Sequence, residues 1–69
     1  MAVRIVDKES GQTFTGKFAD VKEGTVSLWS GIMSDKKGGF RGCGKKVGVF
    51  PEANVTIEAD DPAREIKRR

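Results

Sequence analysis

Gln12-Thr13-Phe14-Thr15-Gly16-Lys17-Phe18 and, after a turn at Lys22-Glu23-Gly24, Thr25-Val26-Ser27-Leu28-Trp29-Ser30 are the two most regular stretches of the chain. Both alternate with a period of two, the signature of a strand with one buried face. In the first, Phe14, Gly16 and Phe18 fall on one side and Thr13, Thr15 and Lys17 on the other. In the second, Val26 and Leu28 point inward, which sends Trp29 to the opposite face. Upstream, Ala2-Val3-Arg4-Ile5-Val6-Asp7 reads as a further strand, separated by turn chemistry at Glu9-Ser10-Gly11. Downstream, Lys46-Val47-Gly48-Val49-Phe50 and Asn54-Val55-Thr56-Ile57-Glu58 complete five, with a bend at Pro51, which has no N–H to give a ladder.

Between Gly31 and Lys46 this periodicity disappears. Gly38, Gly39, Gly42, Gly44 and Gly48 crowd the segment and its downstream flank, and a long glycine-rich loop is expected there. At the other end, Asp61-Pro62 is a helix-start signal followed by too few residues for a stable isolated helix. The expected organisation is one β-domain over residues 1–59 and a flexible or briefly helical charged tail over residues 60–69. The expected core is Val3 or Ile5, Phe14, Phe18, Val26, Leu28, Val49 or Phe50, Val55 and Ile57.

A chain of 69 residues holds one core at most. One cysteine excludes an intrachain disulfide, and with no histidine present no structural zinc ligand set and no metal or cofactor site is expected. No apolar run approaches a membrane span and no secretory signal pattern opens the chain. The expectation is a small protein of the reducing cytoplasm that engages no membrane. Five short strands with turn-separated spacing imply a small antiparallel barrel, since curling the sheet limits its exposed edges.

Three families of small barrel resemble parts of this chain. Phe14-Thr15-Gly16-Lys17-Phe18, then Val26-Ser27-Leu28-Trp29, and finally Val47-Gly48-Val49-Phe50 before Asn54-Val55-Thr56-Ile57 are similar in order to the strands of the Sm-like RNA-binding barrels. Lys22-Glu23-Gly24 stands where that family has an Asp and an Asn, and Pro51-Glu52 where it has Arg-Gly, so its nucleotide pocket does not carry over. Gly48-Val49-Phe50-Pro51-Glu52-Ala53-Asn54-Val55 resembles the Src-homology-3 (SH3-like) barrels, whose proline-ligand groove needs aromatic residues that this chain, with no tyrosine, lacks. Val47-Gly48-Val49-Phe50-Pro51 is similar to the active-site strand of the plasmid-borne type II dihydrofolate reductases, but Gly48 and Phe50 replace its functional Gln and Tyr. The resemblance implies an SH3-like or Sm-like fold without the enzyme or peptide chemistry.

Function then rests on charge. The net charge of +3 conceals its distribution: residues 34–46 alone carry +4, from Lys36, Lys37, Arg41, Lys45 and Lys46 against Asp35. Gly39-Phe40-Arg41-Gly42-Cys43-Gly44-Lys45-Lys46 nearly spells a phosphate-binding P-loop, but Lys46 occupies the hydroxyl position and a strand, not a helix, follows. The same segment fits a nucleic-acid loop better. The five cations would meet phosphates, Phe40 would stack on a base, and Trp29 beside the loop offers a second stacking face. Alternative readings are a solvated loop that keeps a small protein soluble and a Trp29 tucked under the loop. Cys43 lies between Arg41 and Lys45, but there is no histidine base to make it a nucleophile. The adjacent pair Asp60-Asp61 makes no acid–base site, and no catalytic residue is expected.

The reading is a non-enzymatic nucleic-acid-binding barrel, with single-stranded RNA or DNA as favoured partner. Its sites are Lys36, Lys37, Phe40, Arg41, Lys45, Lys46 and Trp29. The alternative is an adaptor that binds protein through Trp29 and an open strand edge, and that can assemble into a homo-oligomer.

Overall fold

A computed structural model of the chain describes residues 2–69. The strands divide into two sheets. In the first, β1 (Val3–Asp7) lies between β2 (Thr13–Gly16) and β6 (Val55–Ala59), antiparallel to both. The second has the order β5 (Phe40–Pro51), β4 (Thr25–Ser34), β3 (Phe18–Lys22), β7 (Ile66–Arg68), with β7 parallel to β3 and the other pairs antiparallel. A 3-10 turn, Glu52–Asn54, links β5 to β6, and one helical turn, α1 (Pro62–Glu65), precedes β7. Among the described residues the protein is all-β with no closed barrel: each sheet keeps its two edges.

Among the described residues seven strands stand where five are expected, and the first difference arises at Lys17. Its N–H donates to the Trp29 carbonyl at 2.7 Å, so the chain leaves the first sheet and enters the second. The run 12–18 therefore becomes β2 and β3. Phe14 and Phe18 do not share one environment. Phe14 packs on the Phe50 ring at 4.9 Å between centroids and lies half-buried against the core. Phe18 is buried, but Ala19 and Val21, next along β3, are the residues that join the core cluster. By strand alternation Phe18 and Asp20 project to the opposite face.

That core is Val3, Ile5, Ala19, Val21, Val26, Leu28 and Val55, with Phe50 and Ile57 packed against it. Both Val3 and Ile5 are fully buried, and Phe50 rather than Val49 turns inward, leaving Val49 55% exposed. Each fully buried aliphatic side chain contributes about 1.5–3 kcal/mol relative to exposure. Ala19 and Val21 are not expected in it, because the inward phase of Phe14, Gly16 and Phe18 carried along one strand would turn residues 19 and 21 outward; the crossing at Lys17 reverses that phase.

The glycine-rich loop is the main correction. From Gly31 to Lys46 the chain is chiefly a hairpin, with Gly31 opposite Cys43, Ile32 opposite Gly42, Met33 opposite Arg41 and Ser34 opposite Phe40. Only residues 35–39 form its turn. The Asp35 carboxylate closes it, accepting the N–H groups of Lys37 at 2.8 Å and Gly39 at 3.0 Å. Glycine weakens a strand but does not forbid one, and here glycines occupy the places where bulges and close contacts exclude a side chain. Two register shifts flank Trp29: Val47 is extra between Gly48 and Lys46, and Gly44-Lys45 oppose Ser30 alone. Those shifts erase the period-two pattern that a sequence reading needs.

The tail is also placed. Pro62–Glu65 makes the single helical turn that Asp61-Pro62 signals, and the buried Glu65 carboxylate accepts the Asp61 N–H at 2.8 Å. The chain then pairs with β3 instead of fraying. Arg68 and Arg69 anchor it through ion pairs to Glu52 and Asp20 at 2.6 and 3.0 Å, and the Arg69 N–H donates to Val21. Tertiary pairing supplies what an isolated short helix lacks. Among the described residues no helix is long and apolar enough to cross a membrane.

Candidate nucleic-acid interface

The β4–β5 hairpin carries all five expected cations. Lys36 and Lys37 are exposed on its turn, and Arg41, Lys45 and Lys46 are exposed along β5. None of the five takes part in an ion pair among the described residues. The Lys45 N–H is held by the Ser30 hydroxyl at 2.8 Å inside the bulge, where Gly44 adopts a φ of +76° that favours glycine. The bulge thereby breaks the alternation of Lys45 and Lys46 with the rest of the strand. Asp35, the one acid of the segment, is kept ionised below its usual range, first by the N–H groups of Lys37 and Gly39 and then by the charges of Lys67 and Arg41. The turn therefore presents a fixed anion ringed by cations.

The aromatic residues sit differently from an open stacking platform. Trp29 is half-buried. Gly42 lies against its indole so closely that a Cβ at this position would stand 2.3 Å from the Cγ and Cδ1 atoms. The Lys46 ammonium lies over the ring, 5.1 Å from its centroid. Of the two readings of Trp29, the tucked one describes its packing, with a cation–π contact added. Phe40 is likewise half-buried, and Arg64 from α1 stands over it at 5.0 Å. Since Ser34 pairs with Phe40 and Met33 with Arg41, alternation puts Phe40 and Arg41 on opposite faces of the hairpin.

One face of the second sheet thus gathers Phe18, Trp29, Gly42 and Phe40, with Lys46 and Arg64 on its aromatic rings. Beside it, between the hairpin turn and α1, lies a cleft of about 290 Å³ lined by Phe18, Gly38, Gly39, Phe40, Arg64 and Lys67 among others. Arg64 and Lys67 escape a sequence reading because nothing local ties them to Phe40; only the docking of β7 on β3 brings them there. The Arg64 Nε is buried without a hydrogen-bond acceptor, and one carboxylate oxygen of Asp20 is buried without a donor. Cys43 packs its sulfur against Gly31. Among the described residues no group of three or more carboxylate or thiol side chains could hold a metal ion.

In comparisons with family models, curated proteins and solved structures, nothing matches the chain.

Proposed function

We propose that this chain is a non-enzymatic nucleic-acid-binding module of the small-barrel kind, SH3-like or Sm-like, and that the β4–β5 hairpin is its interface. What supports the fold reading is the bent β2–β3 strand shared by the two sheets and the 3-10 turn before β6. The observation that carries the function is charge left free on one element. Arg4, Arg68 and Arg69 are matched with carboxylates; of the cations with no carboxylate partner among the described residues, Lys36, Lys37, Arg41, Lys45 and Lys46 stand together on a single hairpin. Cations on a protruding element neutralise phosphates and release counterions, which gives single-strand binding a log–log salt slope of about −0.7 per phosphate contact. The aromatic residues contribute once a base displaces the cation that covers each ring.

A titration with single-stranded oligonucleotides at two salt concentrations, followed by Trp29 emission, tests this. Binding should weaken steeply with salt. Replacing the five hairpin cations by Gln should abolish it while leaving the melting temperature nearly unchanged, because exposed side chains away from packed features alter stability little. Binding that survives their replacement, or no binding at low salt, overturns the reading.

A second reading rests on the outer edge of β5. This strand ends its sheet, and Val47 and Val49 on it are 39% and 55% exposed. An open edge with apolar side chains can take a strand from a protein partner or a second copy. Such a contact would respond weakly to salt.

A further inference from the structure

We propose that the cleft between the hairpin turn and α1 receives one unstacked base of a bound single strand, with Arg64 and Lys67 on the adjoining phosphate. This rests on the nucleic-acid reading above and adds a specific seat to it. The cleft, at about 290 Å³, stands at the lower end of small-ligand pockets. Its apolar lining is Ala63, Ile66 and Phe18, itself 1% exposed, and the half-buried Phe40 supplies the aromatic face. Gly38 and Gly39 have no side chains to obstruct a planar ring entering beneath the turn.

Charge distinguishes this cleft from an ordinary apolar dimple. Arg64 lies over Phe40 and its Nε has no acceptor within the protein. A guanidinium so placed can slide from the phenyl ring to a phosphate while an incoming base takes over the ring face. Lys67 lines the same cleft, and Lys36 and Lys37 adjoin it on the turn. Two acids stand near it: Asp35, whose Oδ1 is occupied by two backbone N–H groups and whose charge offsets part of that of Lys67, and Asp20, which lies opposite Lys67 in the β3–β7 pair and is tied to Arg69. A free phosphate would leave the aromatic surfaces unused. An acyl chain would meet a cationic rim. A nucleotide in a flexible strand satisfies both halves, and a duplex, whose bases stay stacked, does not.

The test couples a change in the protein to a change in the ligand. Ala63 is exposed on α1 and lines the cleft, so Ala63→Phe fills the space without disturbing the core. The ligands are a short single-stranded oligonucleotide and the same strand with one central abasic position. The wild-type protein should bind the abasic strand roughly tenfold more weakly, the scale of one lost base stack. Ala63→Phe should bind the intact strand about tenfold more weakly than wild type and no longer distinguish the two strands. The Ile66 methyl resonance of the wild-type protein should shift with the intact strand and not with the abasic one, a readout independent of how the variant folds. The proposal falls if the variant still distinguishes the strands, or if Ile66 responds to both alike. Where that happens while Gln at the five hairpin cations still abolishes binding, the interface stands and only the cleft is lost. Undiminished binding by the hairpin variant would remove both.

Discussion

Gly42 and Trp29 form the contact on which the interface face depends. A methyl at position 42 would stand 2.3 Å from two indole atoms, and the obstacle is the base of a half-buried ring, not the end of a flexible chain. Gly42→Ala should therefore expel the indole, costing about 1–3 kcal/mol as other forms of overpacking do. Denaturant titration should show a lower midpoint, and Trp29 emission should move to longer wavelength. Phe40 is the complementary case, since it touches Arg64 and lines the cleft. Phe40→Ala should weaken single-strand binding by about 1–3 kcal/mol and duplex binding much less, measured by parallel titrations. An equal loss on both ligands would assign Phe40 a packing role alone.

Among the elements, β7 departs furthest from its expected role. Its three residues pair with Ala19, Asp20 and Val21, and they carry Ile66 against the core. Truncation after Glu65 should lower stability by about 2 kcal/mol, chiefly through Ile66, because the exposed ion pairs of Arg68 and Arg69 contribute little. A truncated chain as stable as the full one would show β7 to be dispensable. The β4–β5 hairpin is the opposite kind of element, protruding and charged. On its outer edge, Val49→Lys distinguishes the two functional readings. It should leave oligonucleotide affinity equal or slightly higher and should disperse any self-association seen by sedimentation. A collapse of oligonucleotide binding on this change would place the interface on the edge instead.

For the molecule as a whole, acid is the informative variable. Asp7, Asp35 and Asp60 are all held below the usual carboxylate range by hydrogen bonds from backbone N–H groups. Those come from Ser10 and Glu9 to Asp7, from Lys37 and Gly39 to Asp35, and from Ala2 to Asp60, with Arg4 added at the last. A carboxylate whose pKa is depressed on folding stabilises the protein above its unfolded value, near pH 4, and loses that contribution as pH falls through the folded value. These three acids close the β1–β2 turn, the β4–β5 turn and the junction of the N-terminal strand with the C-terminal segment. The melting temperature should be level between pH 5 and 7 in these terms and should decline below about pH 4. Asp35→Asn should flatten part of that decline. A melting temperature that rises on acidification would contradict the assignment.

Alternation alone placed Val26, Leu28, Val55 and the Val3–Ile5 strand, because period-two burial is a local property that each strand carries in its own residues. The charge of the segment 34–46 was legible in the same way, as a count of neighbouring side chains. The paired hairpin was not, since its two bulges break the period and its glycines mimic a loop when their contacts are unseen. Nor were the burial of Trp29, the split of Phe14 from Phe18, or the meeting of Arg64 with Phe40. Each of these depends on which distant backbone lies alongside, and that is decided when the chain crosses between sheets at Lys17 and β7 docks on β3. Sequence patterns record what a residue prefers to face; only the assembled sheets determine what it faces.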